Sequence, residues 1–288
     1  MKKTLISLTL AGALFSGSVL AAPFVTVNGQ AIDQKILDEQ VKAVNTQTQG
    51  NVKDTPELRE NLKMQIVANT LIIQEAKKLG LDKSAEYKQV FDSVVADAKK
   101  QGLDKKPEYK QDIENIKEEL LVRSYMADVL KKNPVTDQEV KAVHSDIVKD
   151  LTGTQEVKLS QIITNSDADA KKALTQLNQG KKFADVAKAV SLDPAAKTTG
   201  GLIDTYTNLK EFQQAAPEIY AAVNPLSKNA YTKAPVKLNN VYVLFQVNDK
   251  RKAVVPKLEE IKGPLTGSLQ KQKIDESVQA LFEKASIK

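Results

Sequence analysis

Cysteine and tryptophan are missing from all 288 residues, histidine occurs once, at His144, and tyrosine and phenylalanine together make up only 5% of the chain. Without cysteine there can be no disulfide, so the fold rests on packing alone. One histidine and no cysteine leave no cluster to hold a zinc-like metal, and no Ser–His pairing falls near a plausible site. No glycine-rich phosphate loop is present. The basic residues are interspersed with acidic ones rather than massed in a block, which removes the usual footprint of a nucleic-acid binder. The scarcity of aromatics favours a helical majority packed from Ala, Leu and Val. Beyond the first twenty residues, no apolar run approaches the roughly 20 residues that a membrane span requires.

What is present begins with an export signal. Met1-Lys2-Lys3 is a positive start, and Leu5 to Leu20 is an apolar run broken by Gly12, Ser16, Gly17 and Ser18, the pattern of a cleaved leader. A cut after Ala21 leaves Ala22-Pro23 at the mature end; Ala22 stands where a lipoprotein would need Cys. The expected compartment is therefore the periplasm, with no lipid anchor. Loss of Lys2 and Lys3 with the leader lowers the net charge from +6 to about +4, a mild value typical of solvated helix faces.

The mature length suggests two units. Phe24 to Ile32 alternates around Asn28-Gly29, a hairpin signal, and Asp33 then caps a helix to about Asn45. Pro56-Glu57 opens a long helix with Leu58, Leu62, Ile66, Leu71, Ile72 and Leu79 at helical spacing, closed by Gly80. A stretch from Ala76 is echoed from Ala98, an offset of 22: each copy reads as a helix end with Gly, a Leu-Asp turn, and a new helix opening at Ser84 or Pro107. Asn133-Pro134 breaks the chain, and Thr136 or Asp137 caps a helix to about Asp150. From Glu156 the pattern becomes mixed: strand Val157 to Thr164, helices Ala168 to Gln179 and Phe183 to Val190, a loop through Gly200-Gly201, helix Leu209 to Val223, and strand Val241 to Val247. That order predicts a compact α+β domain. Leu258 to Lys288 is again an amphipathic helix, which needs a partner surface. The expectation is a helical body built from both ends of the chain, with the α+β domain inserted between them.

The segment Glu156 to Arg251 resembles the parvulin family of peptidyl-prolyl isomerases. Glu156-Val-Lys-Leu-Ser-Gln-Ile-Ile resembles the family's opening strand, Gln179-Gly-Lys-Lys-Phe-Ala-Asp-Val-Ala-Lys-Ala-Val-Ser-Leu-Asp-Pro with Gly200-Gly201 its central signature, and Asn239-Asn-Val-Tyr-Val-Leu-Phe-Gln-Val its closing strand. The whole arrangement is similar to the secreted foldases that wrap a helical chaperone region around one parvulin domain. The resemblance implies a leader at 1–21, a chaperone domain from 22–152 and 253–288, and an isomerase domain at 153–252. It also implies no cofactor, and as partners unfolded exported polypeptides and prolyl peptides; dimerisation through the helical body is common among similar foldases.

Parvulins usually carry one His on the opening strand, one on the closing strand, and an Asp or Cys between. Here the matching positions read Gln161, Val243 and Asp193. A His pair is excluded by count, because His144 lies ahead of the domain and reads as a solvated helix residue. Gln161 could exchange hydrogen bonds where His stood, or pack at the core edge; Asp193 could lie beside the substrate amide, or simply start the turn before Pro194. For the proline pocket the resemblance points to Ile203, Phe212, Ala216 and Asn240, with Ile219 or Tyr220 filling in for an aromatic missing near Ala216. Each of these is equally a core-packing position. The expected function is a periplasmic folding factor with a weakened isomerase; the alternative is a pure holdase whose parvulin-like domain only binds peptide or dimerises.

Overall fold

The structure, a computed structural model, describes residues 23–288; the expected leader and its cleavage site lie outside them. The chain forms two compact units, one from the described residues up to Asp137 together with Thr266–Lys288, the other from Gln138–Leu265.

The first unit opens on a hairpin of β1 (Val25–Val27) and β2 (Gln30–Ile32). Asn28 and Gly29 both have positive φ, the conformation that a two-residue turn between right-twisted strands needs and Asn-Gly tolerates. The last residues of the chain join this hairpin: Thr26 and Lys288 exchange backbone hydrogen bonds of 2.8 and 3.0 Å, and Ile287 lies opposite Val27. Asp33 caps α1 (Gln34–Gln47), accepting from the Lys35 N–H at 2.8 Å. Thr55 caps α2 (Pro56–Lys78), accepting from Leu58 N–H at 3.1 Å, with Pro56 in the first turn where its missing N–H costs nothing.

The internal echo is visible in the backbone. Gly80 and Gly102, both left-handed, end helices and lead into single 3-10 turns at Leu81–Lys83 and Leu103–Lys105. After the first, Ser84 caps α3 (Ala85–Lys100) through the Tyr87 N–H. The second departs from expectation: α4 (Tyr109–Lys132) starts two residues past Pro107, because Lys106 offers no acceptor where Ser84 does.

One cluster of this unit joins the hairpin, α1 and α2 through Val27, Ile32, Val44, Ile66 and Val67, with Leu281 and Phe282 of the C-terminal helix packed against it. Another joins Ile72, Ala76, Tyr87, Leu121 and Tyr125, with Val278 alongside. The Tyr125 and Ser277 hydroxyls meet at 2.7 Å. Both ends of the chain thus build one helical body.

The second unit holds α5 (Asp137–Leu151) from Gln138 on, β3 (Gln155–Thr164), α6 (Asp167–Asn178), α7 (Phe183–Val190), the single turn α8 (Ala196–Thr199), β4 (Leu202–Asn208), α9 (Leu209–Ala215), α10 (Pro217–Val223), β5 (Val236–Leu238) and β6 (Val241–Lys252). The sheet order is β4-β3-β6-β5, every pair antiparallel. Alternating residues of β3 and β6 feed two clusters. Val157, Leu159, Val243, Phe245 and Val247 pack with Leu209 and Val223 on one face; Ile162 and Leu244 pack with Ala173, Leu177, Phe183 and Val186 on the other. The fold is α+β, a sheet domain inserted in the sequence of a helical body.

Three expectations need correction. The helix read over Leu209 to Val223 is broken at Ala216, whose φ of −152° and ψ of 68° reflect the exclusion of helical geometry ahead of Pro217. Leu202–Asn208 is a strand, not an extension of the glycine loop; its Leu202, Tyr206, Thr207 and Asn208 pair with β3. The terminal helix, α11 (Leu258–Lys284), stops short of Lys288 because the final residues pair with β1. Among the described residues, no helix is long and apolar enough to cross a membrane.

Candidate prolyl-peptide site

β3 positions Gln161 on the sheet face that carries Leu159 and Ile163, by strand alternation. Across the ladder it stands opposite Phe245, and the adjacent pair on that face is Ile163 with Val243. Gln161 and Val243 are thus diagonal neighbours on one face of the sheet. They differ in exposure: Gln161 is half-buried, whereas Val243 is 2% exposed and forms part of the apolar floor.

The backbone of Gln161 is held by the glycine pair. Its N–H donates to the Gly201 carbonyl at 2.9 Å. A Cβ built on Gly201 would lie 2.2 Å from the Gln161 carbonyl oxygen, and one on Gly200 would lie 2.6 Å from the Ala184 Cβ. Both glycines also have positive φ. No other residue lets the chain lie this close to β3 while α7 packs behind it.

Beyond the Leu202–Ser160 pair at which β4 begins, the Ser191-Leu192-Asp193 stretch takes over the edge of β3. The Ser191 hydroxyl accepts from Ile163 N–H at 3.1 Å, and Leu192 N–H donates to the Ile163 carbonyl at 2.8 Å. Asp193 is therefore brought to the strand that carries Gln161. Its Oδ1 accepts from Ala195 N–H at 3.0 Å and its carbonyl from Ala196 N–H at 3.0 Å, a turn that starts α8. Ser191 was missed in reading the sequence; its Ser-x-Asp-Pro spacing was the available signal, since a short hydroxyl in a turn can cap a neighbouring strand.

The pocket residues divide. Phe212, Ile219 and Tyr220 all pack, half-buried, on the face that Gln161 shares. Ala216 is the half-buried joint between α9 and α10. Ile203 is 37% exposed on β4. Asn240 is exposed in the two-residue turn between β5 and β6, where Asn239 takes the left-handed conformation. His144 makes a 2.9 Å hydrogen bond to the Pro256 carbonyl through Nε2, so it is tied within α5's own surroundings rather than to this face.

The arrangement offers an apolar floor, one neutral amide side chain and one carboxylate at the strand edge. No group of His, Asp and Glu among the described residues could hold a metal ion. Such a site can shelter a proline ring and exchange neutral hydrogen bonds with a twisting amide; it has no imidazole to polarise it.

The family model for the PPIC-type PPIASE domain matches residues 135–263. A Bordetella pertussis protein named "Probable parvulin-type peptidyl-prolyl cis-trans isomerase" is 30% identical over 283 residues, covering 98% of each chain. This chain belongs to the parvulin-type peptidyl-prolyl isomerases. A parvulin-like PPIase of Rickettsia conorii is 25% identical over 264 residues, covering 90% of this chain and 85% of its own. Among solved structures, a chain from a study of two SurA-like chaperones of Campylobacter jejuni aligns over 93% of this chain and 99% of its own, at 21% identity and a TM-score of 0.33. In this parvulin the only histidine is His144.

Proposed function

We propose that the protein is a periplasmic folding factor that binds prolyl segments of unfolded exported chains in the sheet-face cleft and isomerises them slowly. Catalysis of this reaction needs no covalent step. The bond resists rotation by about 18 to 20 kcal/mol because the twisted amide loses resonance, and a site lowers this by withdrawing the amide from water and favouring the twisted state. The observation that carries the reading is the placement of Gln161 on one apolar face with Val243, Phe212 and Ile219 in a member of this isomerase family. Loss of both imidazoles argues for low turnover. The roles assigned are Gln161 and Asp193 at the amide, and Ile203, Phe212, Ala216, Asn240 and Val243 around the proline.

The 22–152 and 253–288 segments serve as the chaperone part and the 153–252 segment as the isomerase part. Support for the chaperone part is the surface that the helices leave open: Met64, Leu79 and Val90 are 49%, 43% and 47% exposed. The leader supports export, and N-terminal sequencing of the purified periplasmic protein is expected to begin at Ala22.

The test pairs a protease-coupled prolyl-peptide assay on the mature protein with aggregation suppression of a proline-poor client. Slow turnover that falls further in Gln161→Ala, with suppression intact, is the expected result. Turnover at the level of a His-paired parvulin would overturn the weakened-isomerase reading. Zero turnover with strong suppression would favour the holdase.

A further inference from the structure

β4 leaves its ladder just where it should line the cleft. Asn208, Thr207 and Tyr206 pair with Glu156, Val157 and Lys158, and the next pair is Leu202 with Ser160. Three residues of β4, Ile203 to Thr205, therefore stand against the single Leu159 of β3. A bulge of this kind has no ladder of its own to fix its course. At its far end Gly201 is clamped to Gln161; at its near end something else must hold it.

That near end is Tyr206. The Arg251 guanidinium lies 3.6 Å from the Tyr206 ring centroid, and the Lys158 ammonium lies 5.0 Å from it. Arg251 belongs to β6 and pairs with Glu156 of β3 at 2.6 Å, so its side chain reaches over β3 to the edge strand. The Tyr206 hydroxyl donates to Asp249 Oδ2 at 2.6 Å, and Asp249 pairs with Lys228 at 2.8 Å. Lys158 in turn pairs at 2.7 Å with Asp204, inside the bulge itself. The Asp249 carboxyl is held down to about 2, first by the hydrogen bond from Lys228 and then by that from Tyr206. One aromatic ring thus gathers three strands, and each cation that faces it has a carboxylate partner.

We propose that Tyr206 is a positioning residue for the cleft: stacked by Arg251 and Lys158 and tied to Asp249, it sets the course of Ile203–Thr205 and so the rim beside Gln161. The proposal rests on Ile203 lining the peptide site as assigned above. Tyr206 itself touches no substrate; it acts through the bulge. Cation–π stacking tolerates loss of the hydroxyl better than loss of the ring, because the attraction comes from the ring face.

The probe is a labelled tetrapeptide with proline at its third position, bound to the full mature protein and followed by fluorescence anisotropy. Ile203→Ala and Tyr206→Leu are each expected to raise Kd about tenfold, and the double variant to raise it about tenfold rather than a hundredfold, since the two act through one element. Tyr206→Phe should stay within about threefold of wild type because the stacked ring survives. Arg251→Gln, a substitution at a partly exposed position that leaves the tyrosine in place, should weaken binding by about threefold and thereby separates a lost stack from a misfolded Tyr206→Leu. A tight-binding Tyr206→Leu, or losses that multiply in the double variant, would overturn the positioning role while leaving the cleft assignment standing. Wild-type affinity in Ile203→Ala would remove the cleft assignment, and the positioning role with it.

Discussion

The two units bury their apolar residues in different ways. In the sheet domain, β3 and β6 are covered on both faces, and Val157, Ile162, Leu244 and Val247 are wholly inaccessible. In the helical body the hairpin, α1 and α2 are well packed, but α3 buries only Tyr87, α4 only Leu121 and Tyr125, and α11 nothing at all. Along α4 every residue from Ile113 to Leu120 is half-buried. A sheet with two packed faces holds side chains where small displacements would cost function. Helices with so few fully buried residues leave apolar side chains open to solvent, as exposed Met64, Leu79 and Val90 show.

The sharpest break in this comparison should come from glycine. Gly201→Ala places a methyl group on the Gln161 carbonyl at a backbone angle of +80°, with an expected cost of about 4 kcal/mol or more in urea unfolding. Gly267→Ala in α11, where nothing lies within 4 Å, should instead stabilise by up to about 1 kcal/mol. Next in size is truncation of the core. Leu244→Ala should cost about 3 kcal/mol, whereas Leu120→Ala on half-exposed α4 should cost roughly half of that, the difference being read from denaturant midpoints at equal m. Third, Tyr125→Phe deletes the hydroxyl pair with Ser277 that joins α4 to the C-terminal helix, at about 1 kcal/mol.

The smallest effects are expected from pH, and they have opposite signs in the two units. Asp249 in the sheet domain has its carboxyl held down to about 2, chiefly by Lys228 and then by Tyr206. Its contribution to stability is present above the ordinary carboxylate value and is lost as pH falls toward 2, because the unfolded chain takes up the proton first. Glu118 in the helical body is pushed up, mainly by burial and also by Glu114, against the pull of Lys77. There the native state holds the proton longer than the unfolded chain, so stability falls as pH rises from the ordinary carboxylate value through the raised one. Glu118→Gln should therefore be more stable than wild type at neutral pH, with the advantage gone in acid. A thermal-melt series across pH on both single variants, Asp249→Asn and Glu118→Gln, checks the two signs together.

Much of the fold could be read along the chain because its signals are local. Asn28-Gly29 requires its turn, Asp33, Thr55 and Ser84 each cap a helix start, and Phe183–Val190 has the boundaries that its apolar spacing predicts. The features that escaped are those whose stabilising partners are distant. β5 has three residues and exists through its pairing with β6. β4 follows a glycine pair and carries polar residues at an edge, so its alternation is weak. The candidate site divides in the same manner: Gln161 and Asp193 were legible as motif positions, whereas Ser191 and Tyr206 matter only through residues far away in sequence.

What the sequence determined by itself is the chemistry available: no cysteine, and a single histidine, His144, in the helix ahead of β3. It also determined the period and ends of most helices, since those depend on neighbours within four residues. The tertiary structure alone decided that Gln161 and Val243 share a face, that Gly201 lies against the Gln161 backbone, and that Ser286 to Lys288 complete the first hairpin. These are contacts across tens to hundreds of residues, and their free energy exists only once the chain has closed on itself.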